Sequence, residues 1–223
     1  GISFYNPYPG LKPATRNISI EPGTLAIADS AFRAQDYVTS LEIPNSVTHI
    51  GDEAFYGCKL MNLYTIPQSV VYIGRNAFTN CACINSVKIS GDIKFIGDNA
   101  FSNCTGITTI SISGRDVFIG DSVFNGCSSV INMTIPFMGS SKSANNGYDQ
   151  ILGYFFGTSY KGGEETTQCY YEKGTSSPTY KTYYIPASLK TICISEGDVP
   201  FGAFYNCTNL ENVSIGQDAT SIG

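Results

Sequence analysis

Phenylalanine recurs at a fixed interval of 23 residues along much of this chain, at Phe32, Phe55, Phe78, Phe101 and Phe124. A constant period of roughly 20–50 residues is typical of stacked repeats, in which each unit packs only against its neighbours. The period therefore constrains the architecture before any single element is assigned. It does not constrain the ligand, because one repeat scaffold serves many different partners.

Other residue types recur with the same period. A cysteine follows each of the four later phenylalanines by three positions, at Cys58, Cys81, Cys104 and Cys127. An apolar triplet follows each cysteine at offsets of three, six and eight residues: Met61, Tyr64 and Ile66; Ile84, Val87 and Ile89; Ile107, Ile110 and Ile112; Val130, Met133 and Ile135. A first unit has Val38, Leu41 and Ile43, and a late copy has Phe204, Cys207, Leu210, Val213 and Ile215. We therefore predict about six rungs, a rung being one repeat unit of the stack.

The apolar and polar residues inside each unit indicate its local structure. The last two apolar residues of a unit alternate with polar ones, which indicates a strand with one buried face. An aspartate column (Asp29, Asp52, Asp98, Asp121) lies where it would cap a short helical turn. Calcium binding is the alternative for this column, but the dense ligand spacing of calcium repeats is missing. Because one unit cannot bury its own apolar side, stacking should place Phe on Phe and Ile on Ile.

A long aromatic insertion separates the late copy from the others. Phe124 and Phe204 lie 80 residues apart, so about 57 residues are extra after one period, between Pro136 and about Pro186. Residues 137–184 contain eight of the fifteen tyrosines. Residues 166–186 predict a hairpin, and residues 148–156 (YDQILGYFF) predict a short helix packed on the solenoid through Ile151, Leu152, Phe155 and Phe156.

The repeat resembles the BspA-like class of leucine-rich repeats. The resemblance is carried by IPNSVTHIGDEAFYGC at 43–58 and IPQSVVYIGRNAFTNC at 66–81, and it covers residues 27–136 and 184–223. Later units depart from it, with Ser-Gly at 90–91 and 113–114 where the class has Ile-Pro. The resemblance implies a cell-surface or secreted binding protein of bacterial type, and it identifies no catalytic residues.

We therefore predict a single α/β domain built as a leucine-rich-repeat solenoid. The expected form is a β-rich right-handed superhelix of 23-residue repeats, with a parallel sheet on one face and one inserted hairpin or loop segment. The predicted divisions are an N-terminal cap at 1–26, repeats at 27–136, the aromatic insertion at 137–184 and final repeats at 185–223.

Composition and charge argue against some classes of partner and indicate the state of the cysteines. A net charge of −5, with 14% charged residues, argues against nucleic acid, and the absence of an apolar run near 18 residues argues against membrane insertion by this fragment. The chain ends at Ile222-Gly223, where the Ile-Gly column would open another unit, so we expect a fragment or a weakly capped end. Column cysteines should be free, buried thiols, because stacked side chains do not point at one another. A Cys169–Cys193 pair is the alternative off the column.

No residue pattern points to catalysis, a metal site or a cofactor. The single histidine, His49, shares a column with Tyr72, Phe95 and Phe118, so we expect it to stack with aromatic rings rather than act as a base. An apolar cysteine column favours inert thiols over an activated nucleophile. We therefore expect a protein that is not an enzyme.

Three surfaces compete as the binding site. Along the strands, the outward residues include Thr65, Lys88, Ser111 and Thr134, with Leu63 expected beside Thr65; a solvated sheet face is the alternative. The aromatic column of His49 should point outward, with stacking between neighbours as the simpler interpretation. In the insertion, Tyr160, Tyr170, Tyr171 and Tyr183 are candidates for display to a ligand, because tyrosine gives large contact area at low entropic cost.

The expected function is non-catalytic binding or adhesion outside the cell or at the cell surface. The ligand would be a host or other extracellular protein, or a glycan. The alternative is a structural spacer that presents another domain.

Overall fold

The computed structural model describes residues 16–63, 65–159 and 162–223, and these form a β-solenoid of about nine turns with almost no helix. The front face of the solenoid carries the eight strands β1 Arg16–Ser19, β3 Val38–Glu42, β5 Asn62–Leu63, β7 Ser86–Ile89, β9 Thr109–Ile112, β11 Asn132–Ile135, β14 Thr191–Ile194 and β15 Asn212–Ile215. They form a three-stranded block, β1-β3-β5, and a five-stranded block, β7-β9-β11-β14-β15. The predicted solenoid is confirmed.

A second parallel ladder, the back face, consists of two-residue strands. These are β2 Ala26–Ile27, β4 His49–Ile50, β6 Tyr72–Ile73, β8 Phe95–Ile96 and β10 Phe118–Ile119. The second member of each pair is a buried isoleucine, which explains the Ile column of the sequence. The solenoid thus has parallel pairing on two faces rather than on one.

Buried ladders run through the stack as the period predicts. Neighbouring phenylalanine rings from Phe32 to Phe124 stack with centroids 5.1–5.8 Å apart. The isoleucines of the back-face strands are fully buried from Ile50 to Ile119. Each rung therefore covers the apolar side that its neighbour cannot bury alone.

The cysteine column is explained by hydrogen bonds between rungs. Each buried thiol donates to the carbonyl oxygen of a phenylalanine in the preceding rung: Cys58 to Phe32, Cys81 to Phe55, Cys104 to Phe78 and Cys127 to Phe101, at 3.0–3.2 Å. All eight cysteines, which lie within the described residues, are free, including Cys169 and Cys193. Cysteine thus supplies both a small apolar side chain and a weak donor at this site.

The aspartate column joins rungs instead of capping its own turn. Asp29 accepts a hydrogen bond from the backbone N–H of Asp52 at 2.8 Å, and Asp52 accepts one from Arg75 at 2.7 Å. Asp98 binds the N–H of Asp121 in the same way, at 3.0 Å. Each of these three carboxylates therefore accepts a hydrogen bond from a backbone N–H of the next rung. The prediction that the aspartates cap a turn of their own unit is wrong.

Two expectations about the rungs are also wrong. Strand β5 pairs Leu63 with the buried Leu41, and Leu63 itself is buried, so it does not face outward. The unit is displaced by one residue, because Leu63 takes the core position that the period assigns to Tyr64, a residue outside the described part. The count of about six rungs is too low, since β1 and β14 add front strands that carry no Phe-Cys pair.

The first part of the insertion packs on the stack as a further rung would, and the hairpin comes after it. A single 3-10 turn, Tyr148–Gln150, and one short helix, α1 Gly153–Phe156, follow the strand β11. The backbone N–H of Phe124 donates to Phe155 O, as the N–H of Phe101 donates to Val123 O one rung earlier. Ile151, Leu152, Phe155 and Phe156 are fully buried, which confirms the predicted packing of this segment. The antiparallel hairpin of β12 Glu164–Tyr171 and β13 Pro178–Ile185 follows.

Candidate functional site

The hairpin has one face against the core and one face exposed. On the inner face, Tyr170 and Tyr183 are only 4% and 2% exposed, so the expectation that these two rings are displayed is wrong. Tyr183 packs directly on Gly153 of α1, where an added Cβ would lie 2.2 Å from the ring. Because side chains alternate across a strand, burial of Tyr170 turns its neighbour Tyr171 outward.

Four exposed aromatic residues meet at the outer face of the hairpin. Tyr171 lies 4.8 Å from Phe201 between ring centroids, and Tyr180 lies 6.2 Å from Tyr205. Their exposed fractions are 41%, 47%, 58% and 43%, respectively. We call Tyr171, Tyr180, Phe201 and Tyr205 the aromatic cluster. Sequence reasoning proposed only Tyr171 of these four as a candidate.

The turn at residues 200–206 is fixed against β12 by polar contacts. Gln168 is fully buried; its Oε1 accepts from Gly153 N, and its Nε2 donates to Ala203 O at 3.2 Å. Asn206 Nδ2 donates to Thr167 O at 2.9 Å. These contacts hold both halves of the aromatic cluster on one rigid frame, which keeps the entropic cost of ligand binding low.

Phe201 stands out when the repeats are aligned by their 23-residue period. It lies six residues before Cys207, which is the position of Asp52 relative to Cys58. An aromatic residue therefore replaces a member of the aspartate column on the surface. Tyr205 takes the position held by Tyr56, Thr79 and Ser102 in earlier rungs, so an aromatic residue at that position is not peculiar to this rung.

Polar side chains continue the outer face beyond the rings. The hydroxyls of Thr167 and Thr182 lie 3.3 Å apart across the strands, and Tyr184 donates to Glu165 Oε1 at 3.2 Å. A hydrogen bond with the buried Cys169 raises the pKa of the Tyr180 phenol. The face therefore offers rings at one end and hydrogen-bonding groups at the other.

The front face brings three of the strand candidates into one row. Lys88 pairs with Ser111, and Ser111 pairs with Thr134, in the parallel register. Lys88 is exposed and the other two are half-buried. Thr65 is exposed and lines a depression of about 510 Å³ together with Lys88. This row remains a candidate surface of small polar side chains.

The back-face column is a stacked aromatic ladder. His49, Tyr72, Phe95 and Phe118 follow one another with ring centroids 4.9–5.8 Å apart. Burial is the main cause of a raised pKa for the Tyr72 phenol. The remaining candidate, Tyr160, lies outside the described residues.

The described residues contain neither a cluster of metal ligands nor a membrane-spanning helix. No group of three or more His, Cys, Asp or Glu side chains in the described ranges could hold a metal ion. Within the same ranges, no helix is long and apolar enough to cross a membrane.

Comparison with known proteins places these features in a family context. The family model for the BspA type leucine-rich repeat region matches in six copies, over residues 15–146 and 173–223. A solved leucine-rich repeat protein from T. pallidum is similar at 17% identity with a TM-score of 0.53, covering 92% of this chain and 71% of that one. This similarity supports the fold alone.

Two further solved structures show weaker similarity. One is a leucine-rich repeat protein from Bacteroides ovatus, with TM-score 0.41, 18% identity and coverage of 93% of this chain and 70% of that one. The other is a leucine-rich cell surface protein from Faecalibacterium prausnitzii, with TM-score 0.32, 20% identity and coverage of 93% and 63%. Comparison with curated protein sequences finds no match.

Proposed function

The chain belongs to the BspA-type leucine-rich repeat family, and on that premise we propose that it is a non-catalytic binding module of a secreted or cell-surface bacterial protein. Its ligand is an extracellular protein or a glycan. The family is associated with bacterial cell-surface proteins, which supports the location. The single observation that carries the proposal is the aromatic cluster on the hairpin.

The aromatic cluster has the properties of a recognition surface. Its four rings are exposed together, although water contact with large apolar rings is unfavourable unless a partner covers them. Tyrosine supplies both apolar area and a hydroxyl at low conformational cost. A rigid solenoid that positions such groups on an insertion is a common arrangement for binding.

The chemistry of the thiols supports a non-catalytic role. Burial raises the pKa of Cys58 to about 11 and that of Cys104 to about 12, and it raises those of Cys81 and Cys127 well above the usual value. A protonated, enclosed thiol is a poor nucleophile. His49 stacks on Tyr72, and its Nδ1 lies 2.8 Å from the hydroxyl oxygen of its neighbour Thr48.

A spacer role is the second candidate, and the front face favours it. The outward row that contains Ser111 and Thr134 consists mostly of small polar side chains, as a solvated sheet requires. A spacer would bind nothing itself and would present a neighbouring domain.

A binding panel separates the two roles. The immobilised chain is exposed to extracellular-matrix proteins and to neutral and acidic glycans, and saturable binding is measured by surface plasmon resonance. The proposal expects at least one saturable ligand. The absence of any saturable ligand across the panel would favour the spacer role. Deletion of residues 140–182 is unsuitable as a control, because it removes the buried residues of α1 from the core.

A further inference from the structure

We propose that the ligand of the aromatic cluster is a neutral oligosaccharide that lies along the outer face of the hairpin. This inference rests on the proposed binding function and names the ligand class of the same site. It follows from the orientation of the rings, the polar groups beside them, the local charge and the condition of the hairpin edge.

The rings offer faces at different angles. Tyr171 and Phe201 meet at 49°, and Tyr180 and Tyr205 meet at 67°, so neither pair is closed by parallel stacking. The face of an aromatic ring carries negative charge density, which attracts the slightly positive C–H groups on the apolar side of a sugar ring. Two adjacent tyrosine-containing pairs therefore provide stacking positions for successive sugar units.

Hydrogen-bonding groups follow the rings along the same strands. The exposed hydroxyls of Thr167 and Thr182 come next, and then the Glu165 carboxylate. A carboxylate is a strong acceptor for sugar hydroxyls, because charge assistance roughly doubles the strength of the hydrogen bond. Strands of eight residues span about 26 Å at ~3.3 Å per residue, which suits several sugar units rather than one.

Local charge excludes acidic glycans as the preferred ligand. Glu165 lies on the outer face, Glu164 and Lys181 are exposed on the same two strands, and Glu172 and Lys173 lie at the hairpin tip, so the hairpin carries three carboxylates and two lysines. The whole chain carries a net charge of −5. Sulfated or sialylated glycans would meet repulsion without a matching basic cluster, whereas neutral glycans would not.

The condition of the hairpin edge disfavours an extended peptide as ligand. A peptide would add as a third strand along β13, whose residues 178–182 are largely exposed. Pro178 has no N–H to donate, and Lys181 places a charge on the same strand. Proline and lysine are both common on exposed edge strands, where they hinder the addition of another strand. The exposed ring faces are therefore the better-suited surface, and they fit a sugar.

Glycan-array binding followed by calorimetry tests the proposal on the full chain. The array carries neutral gluco-, galacto- and manno-oligosaccharides, with sulfated and sialylated glycans and extracellular-matrix proteins as comparators. Tyr180→Ala and Tyr205→Ala remove one ring each, and Tyr180→Phe keeps the ring. Phe118→Ala is the matched control, since Phe118 is an exposed aromatic residue on the back face.

We expect binding to a neutral oligosaccharide, a loss of affinity of at least about tenfold in each alanine variant, and near-normal affinity in Tyr180→Phe and Phe118→Ala. Circular dichroism and Tm establish that all variants are folded. Binding of a matrix protein or acidic glycan through these rings, with no neutral ligand, would overturn the ligand class and leave the binding function standing. Absence of every ligand would overturn both.

Discussion

The Cys104 thiol donates a hydrogen bond of 3.0 Å to the carbonyl oxygen of Phe78 in the preceding rung. The same contact recurs in the neighbouring rungs, so the cysteine column contributes both packing and a repeated link along the solenoid axis. Because these thiols are enclosed, their ionisation is coupled to unfolding.

Stability should fall in alkali because of this column. Burial raises the pKa of Cys104 from 9.0 to about 12, so the folded thiol keeps its proton where the unfolded thiol loses it. The free energy of unfolding is therefore unaffected below about pH 9 and falls as pH rises from about 9 to 12, by up to about 1.4 kcal/mol per pH unit for each thiol. Urea unfolding across this pH range measures the slope.

Cys104→Ala is the control for this slope. The variant is less stable near neutral pH because it leaves a small cavity, and its slope between about pH 9 and 12 should be shallower by about 1.4 kcal/mol per pH unit. An unchanged slope would show that this thiol is not enclosed in the folded state.

Gly74→Ala should strongly destabilise the solenoid. An added Cβ would lie 2.5 Å from the backbone nitrogen of Asp52, and that nitrogen belongs to the preceding rung. Backbone cannot move aside as a flexible side chain does, so we expect a loss of about 3 kcal/mol in the free energy of unfolding. Chemical denaturation measures it, and a loss under about 1 kcal/mol would contradict the close approach.

Ala34→Gly should stabilise the protein. Ala34 is exposed and has φ of +58°, a left-handed conformation that costs a residue with a Cβ about 1 kcal/mol. Gly57 occupies the equivalent place one rung later, with φ of +77°. Gly57→Ala is therefore the matched control, with a change of similar size and opposite sign. Shifts in Tm of the same sign for both variants would show that the left-handed conformation at these two positions does not control stability.

Gln168→Ala should loosen the hairpin. Its side chain satisfies the N–H of Gly153 and the carbonyl of Ala203 inside the protein, and loss of both bonds leaves buried groups unpaired. We expect a cost of about 2–3 kcal/mol in urea unfolding. Tyr183→Phe is the contrasting variant on the same face, because its buried hydroxyl has no hydrogen-bond partner among the described residues and its removal should raise stability slightly.

The solenoid could be predicted from the sequence because one period governs the phenylalanine, isoleucine and cysteine ladders alike. The displaced rung could not, since the choice of Leu63 over Tyr64 for the core depends on packing in that single unit. Tyr170, Tyr171 and Tyr183 look equivalent in sequence. Their separation into buried and exposed rings depends on which hairpin face meets Gly153, a tertiary contact that no local pattern encodes. The replacement of an aspartate by Phe201 was the one readable sign of the aromatic cluster.

The aromatic cluster, and not the front face, is the proposed ligand-binding surface. Surface plasmon resonance with one ligand identified from the panel and two folded variants compares the two surfaces. Tyr180→Ser/Tyr205→Ser changes the aromatic cluster. Lys88→Ala/Ser111→Ala/Thr134→Ala changes the row of candidate residues on the front face. We predict that the first variant loses at least about tenfold in affinity while the second binds normally. Loss of binding in the Lys88/Ser111/Thr134 variant alone would refute the proposal and place the site on the front-face strands.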